Sequence, residues 1–84
     1  MEEKVGKVIH YFSKLGVAAI KIDHGKVRKG DKLHIVGHTT DTEVTVDSLE
    51  LEHHPLEEAT EGMDVGIKVN EHVREHDEVF KAYI

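Results

Sequence analysis

The sequence predicts an all-β domain, built as a small closed antiparallel barrel of six short strands. Three observations predict it. Apolar residues alternate at period two, as in Leu33 and Ile35 or Val65, Ile67 and Val69, rather than recurring at helical spacing. Glycine-bearing polar stretches punctuate these runs at short intervals. No segment forms an amphipathic helix of useful length, and closure would remove the exposed edges of so small a sheet.

The elements follow in order. "VGKVIHYF" (5–12) is rich in β-branched and aromatic residues, and its aromatics Tyr11 and Phe12, with Phe80 and Tyr83 later, suit the core. "SKLG" (13–16) is a tight connection in which Gly16 is free to take positive φ. "VAAIKID" (17–23) returns as a strand, "HGKVRKG" (24–30) reads as a turn region, and "DKLHIVG" (31–37) alternates around Leu33 and Ile35. "HTTD" (38–41) is a loop by composition. "TEVTVDSLELEHH" (42–54) reads as the longest strand. Val44 and Val46 share one phase and Leu49 and Leu51 the other, so a bulge or bend is needed near Asp47–Ser48 to keep both pairs inside. Pro55 has no N–H to donate and should stop this ladder. "LEEATEGM" (56–63) reads as a loop or one helical turn, "DVGIKVN" (64–70) as a strand, and "EVFKAYI" (78–84) as the closing strand.

An internal echo decides the remaining stretch. "VRKGDKL" (27–33) and "VREHDEV" (73–79) share Val, Arg and Asp, with Gly30 in the first copy where His76 stands in the second. Histidine is enriched among the non-glycine residues that tolerate positive φ, so 71–77 is predicted as the same turn leading into a strand, at some strain.

Eighty-four residues make one domain, 1–84, able to bury roughly 60–65% of its unfolded surface. The absence of cysteine excludes Cys-ligated metal sites and favours a reducing, cytoplasmic setting. "MEEKVGK" lacks the pattern of a signal peptide, and the longest apolar run, Val17 to Ile20, is far short of a membrane span, so no membrane partner is expected. The net charge of −6 is divided unevenly: residues 1–32 carry +4 and residues 33–84 carry −10. The acidic total argues against bulk binding to phosphate backbone, while the basic first third allows a local basic face through Lys26, Arg28 and Lys29. In the loop "GHTTD", the side chains of His38, Thr39 and Thr40 are candidates for ligand contact.

Eight histidines raise the question of a metal. His53 and His54 are neighbours and would face opposite sides of a strand. Glu52 and His54 would share a face that His34 or His38 could join, but no spacing matches a zinc motif, and neither a metal nor a cofactor is expected. No nucleophile, base and oxyanion donors are brought together by a motif, so no catalytic residues and no enzymatic activity are expected.

Residues 25–80 carry a resemblance. "GKVRKGDKLHIVG", then "VTVDSLELEHHPLEEATEGMDVGIKV", then "VREHDEVF" stand in the order and at the spacing of the second domain of translation elongation factors. That domain is the β-barrel beside the GTPase domain in elongation factor Tu and in initiation factors of that class. The chain is also similar to small free-standing elongation-factor-like proteins and to the C-terminal barrel of some collagenase-like peptidases. The resemblance implies a Greek-key barrel of the translation-factor domain 2 type. It implies contact with the acceptor end of tRNA, or with RNA, through Glu50, Glu52, His53 and His54, and through Asp64 on the following strand. Where the family carries a histidine–arginine pair, this chain has Glu52 and His53 and so lacks the guanidinium suited to gripping phosphate. No G-x-x-x-x-G-K-[ST] loop is present, so the chain is no GTPase and no nucleotide cofactor is expected. The leading reading is a binding module for tRNA, other RNA or a ribosome-associated protein. The competing readings are a protein–protein or self-associating module, with a homo-oligomer as one form, and a His/Glu metal-binding protein.

Overall fold

The computed structural model describes residues 2–82, and they form an all-β antiparallel fold. Ten strands appear among the described residues: β1 (Glu2–Phe12), β2 (Val17–Ile22), β3 (Lys26–Arg28), β4 (Lys32–Val36), β5 (Asp41–Thr45), β6 (Leu49–Leu51), β7 (His54–Pro55), β8 (Glu58–Thr60), β9 (Asp64–Lys68) and β10 (Glu78–Ala82). Eight of them pair in the order β5-β4-β10-β1-β2-β9-β6-β7, and β3 pairs with β8 in a separate ribbon.

This architecture corrects the expected closed six-stranded barrel. Among the described residues no ladder joins β5 to β7, so the sheet keeps two ends. The reason lies in the stretch expected as one strand over 42–54. Pairing stops after Thr45 and resumes at Leu49, so the phase slip at Asp47–Ser48 is met by a gap in the ladder. Val44, Val46 and Leu49 are all buried across that gap, and Leu51 is partly buried against the core. The freed backbone bonds to the neighbourhood of the ribbon instead. Gly30 N–H donates to Val46 O at 2.8 Å, and Val46 N–H donates to Asp31 O at 2.9 Å.

The ribbon is a second correction. The turn expected over 24–30 contains β3, and the loop or helical turn expected over 56–63 contains β8. Val27 and Ala59 face each other across this ladder and both are fully buried. Pro55 is the last residue of β7, paired opposite Glu50, so the ladder does stop there; it lies on the outermost strand, where a missing N–H costs no ladder bond on the open side. The closing strand is seen over 78–82; the remainder of the expected 78–84, with Tyr83, lies outside the described residues.

The core collects the predicted inward residues: Leu33 and Ile35 from β4, Val65 and Ile67 from β9, with Ile20, Ile22 and Val79. In β1, Val5, Val8 and Tyr11 reach the core at a spacing of three rather than two. Register shifts between Lys4 and Gly6 and between Val8 and His10 make this possible. At the first shift the chain crosses β2 so closely that a Cβ on Gly6 would overlap the Lys21 carbonyl oxygen. Phe12, expected in the core, is 45% exposed, because β1 runs past the core before the turn at 13–16.

The echoed turns are built alike. Gly30 has φ 92° and His76 has φ 75°. The Asp31 carboxylate accepts the Arg28 N–H at 2.8 Å, and the Asp77 carboxylate accepts the Arg74 N–H at 2.8 Å. Each turn also docks on a distant residue: Gly30 and Asp31 on Val46, His76 and Asp77 on Val8.

Candidate functional site

Of the sequence-predicted site residues, the fold gathers one group into a groove and spreads the others apart. The groove crosses the outer face of β2, β9 and β6. The ladder register puts Glu50 beside Gly66 and Gly66 beside Ala19. Because Ala18, Ile20, Ile67 and Leu49 point into the core, this row points outward, and its two small residues leave a depression. Phe12 and Leu15 from the β1–β2 turn rise at one side with Val17. Glu50, Glu52, His53 and Asp64 complete the lining of a groove of about 290 Å3. Phe12 and Leu15 are 45% and 62% exposed, so the apolar wall is open to solvent.

Its ionisable groups are mostly acidic. Asp64 has the Lys21 ammonium 4.0 Å away at the groove edge. Glu50 and Glu52 have no cation within ion-pair distance among the described residues. Glu52 and His53 form the two-residue connection between β6 and β7 with φ of 50° and 67°. Two successive positive φ values define a type I′ hairpin turn, which Asn-Gly serves best. A glutamate and a histidine hold it under strain, at the lip of the groove.

The remaining candidates lie elsewhere. Lys26, Arg28 and Lys29 are exposed on and beside β3; Arg28 stands 3.8 Å from Glu58, and the Lys26 carbonyl accepts a bond from Lys81 at 3.1 Å. His38 and Thr39 are exposed on the turn before β5, where Gly37 N–H donates to Thr40 O at 2.8 Å and the Thr39 hydroxyl accepts from Arg74 Nε at 2.8 Å. Thr40 is buried and its hydroxyl has no hydrogen-bond partner, so it is not available at the surface. His54 is exposed on β7 opposite Leu51 and is not part of the groove lining.

The metal alternative linking Glu52, His54 and His34 or His38 finds no geometry. Among the described residues no group of three or more His, Asp or Glu side chains is arranged to hold an ion. His34 instead is placed between two carboxylates: Nε2 stands 2.6 Å from Asp41 and Nδ1 stands 2.9 Å from Glu2. The Asp41 hydrogen bond, followed by that of Glu2, raises the His34 pKa above its ordinary value against the opposing effect of burial.

Phe12, Leu15, Val17, Ala19 and Gly66 were not predicted as site residues. An aromatic on a strand reads as core, and the depression arises from the cross-strand register of Gly66 and Ala19, which no local pattern displays.

The chain and its fold have known relatives. Residues 16–76 match the family model described as elongation factor Tu domain 2. A collagenase of Porphyromonas gingivalis is 40% identical over 78 residues, covering 92% of this chain and 22% of the collagenase. An uncharacterized protease of Methanocaldococcus jannaschii is 37% identical over 78 residues, covering 92% of this chain and 19% of the protease. The chain thus spans about a fifth of the length of the curated relatives it matches. The crystal structure of the C-terminal domain of a Geobacillus thermoleovorans protein assigned to the U32 peptidases superposes with a TM-score of 0.88 at 20% identity, covering 96% of this chain and 93% of that one. The expected similarity to collagenase-like peptidases is met by these relatives, and the expected likeness to elongation factor Tu domain 2 is met at the level of family model and fold, whereas the relatives themselves carry protease rather than translation-factor names. With most of its length inside the matched region, the chain belongs to the elongation factor Tu domain 2 family.

Proposed function

We propose that this chain is a recognition domain that holds a segment of polypeptide beside a peptidase-type catalytic unit. The observation that carries the reading is the groove itself: an exposed apolar wall of Phe12 and Leu15 facing the carboxylates of Glu50, Glu52 and Asp64. Exposed apolar surface with a polar rim suits a polypeptide, whereas clustered carboxylates repel a phosphate backbone. Two relatives with protease names, matched over 92% of this chain, support a role next to peptide chemistry. RNA is the competing occupant, supported by the family's barrel in translation and by exposed Lys26 and Lys29 on another part of the surface.

The test is an amide-resolved NMR titration of the labelled chain, first with gelatin and then with bulk tRNA at low salt. Gelatin is expected to shift Phe12, Leu15, Glu50, Glu52 and His53, and tRNA to leave the spectrum unchanged. Salt-sensitive shifts with tRNA alone would replace this reading with the nucleic-acid one.

A further inference from the structure

We infer that the groove is a pocket for a single basic side chain, arginine or lysine, presented by an extended polypeptide. The inference rests on the polypeptide-recognition reading and names what that site selects. Size comes first. About 290 Å3 between Phe12, Val17 and the Glu50–Gly66–Ala19 row suits one long side chain rather than the face of a folded partner. The lining then sets the chemistry. Arginine and lysine carry an apolar stem that lies along hydrocarbon surface and a charged head that seeks polar company. Val17, Ala19 and the Phe12 side chain, whose ring centroid lies 4.4 Å from that of His10, offer the hydrocarbon. Glu50 and Glu52 bring two carboxylates that no cation of the described chain neutralises.

The molecule supplies its own precedent at the groove edge. Lys21 reaches Asp64 across the β2–β9 ladder, so one carboxylate of the lining already receives an ammonium from within the chain. Glu50 and Glu52 would play the same part toward a visiting residue. A planar guanidinium matches two carboxylate oxygens at once, so arginine should bind more tightly than lysine. An acidic side chain would be repelled, and an uncharged aliphatic one would leave the carboxylates without a partner.

The experiment uses capped pentapeptides in which arginine, lysine, norleucine or glutamate stands between alanines, titrated into the labelled chain at low salt. Arginine and then lysine are expected to shift the amides of Phe12, Gly66 and Glu52, and norleucine and glutamate to shift none. The doubly substituted Glu50→Gln, Glu52→Gln chain should bind the arginine peptide about five- to tenfold more weakly while keeping the parent spectrum elsewhere, since two exposed charge pairs of ordinary strength are lost. Ala19→Leu, which fills the floor from an outward-facing position, should also abolish the shifts. Equal binding of norleucine, or groove shifts with gelatin but with none of the pentapeptides, would overturn this inference and leave the polypeptide reading standing. Failure of gelatin and of every peptide would bring down the reading beneath it.

Discussion

His34 satisfies two carboxylates only when both its ring nitrogens carry protons, because each then donates, Nε2 to Asp41 and Nδ1 to Glu2. The raised pKa makes the linkage directional. Below the ordinary imidazole value of about 6.5, with both carboxylates ionised, the bridge contributes its full stability. That contribution fades as pH rises through the higher folded value of His34. The parent chain should therefore lose stability as pH rises above the ordinary imidazole value of about 6.5, to a degree that His34→Gln does not, measured as denaturation midpoints across pH. Parallel curves for the two chains would remove the bridge as a contributor. His76 is the second residue with a measurable burden. At φ 75° its side chain crowds its own backbone, while Gly30 serves the twin turn freely. His76→Gly should raise stability by about 0.5–1 kcal/mol, a few degrees in melting temperature, and Gly30→Ala should lower it by a similar amount.

At the scale of elements, the β6–β7 hairpin sets local comfort against the groove. Replacing Glu52 and His53 with Asn and Gly supplies the residues a type I′ turn prefers, so the chain should melt higher by a few degrees. The same change removes a carboxylate from the groove and should weaken arginine-peptide binding; a tighter complex would contradict the assignment of Glu52. This hairpin also marks where the sequence ceases to be readable. Glu-His is no turn signature, so 42–54 reads as one long strand. β3 and β8 escape detection because three-residue strands with one buried residue each, Val27 and Ala59, show no alternation to recognise. The longer elements are legible because their alternation repeats: β4 and β9 hold their inward residues as predicted, and the slip at Asp47–Ser48 announces the gap between β5 and β6. The paired turns are legible for another reason. Val27 and Val73, Asp31 and Asp77 recur at one spacing, and the same carboxylate-to-amide bond recurs with them. Four groove residues, Glu50, Glu52, His53 and Asp64, come from family resemblance alone, since nothing in their own spacing shows that separate strands will gather them.

For the whole molecule, charge and sheet shape act together. With eight histidines and an isoelectric point near 5.7, the net charge passes through zero a little below pH 6, and solubility should be lowest there. That is the condition in which the two ends of the eight-stranded sheet matter most. β7 is two residues long and ends in Pro55, which offers no N–H to an incoming strand. β5 is longer, but its exposed positions include Asp41 and Glu43. An unpaired edge is a template on which further copies can stack without limit, and short length, proline and charge are the means by which chains refuse that growth. Glu43→Val would turn the edge into a continuous run of β-forming residues, Thr42 to Thr45. Light scattering at pH 6 should then rise with time for the variant and stay flat for the parent. A sheet left open among the described residues has thus to carry, in a proline and two carboxylates, its own defence against becoming a fibre.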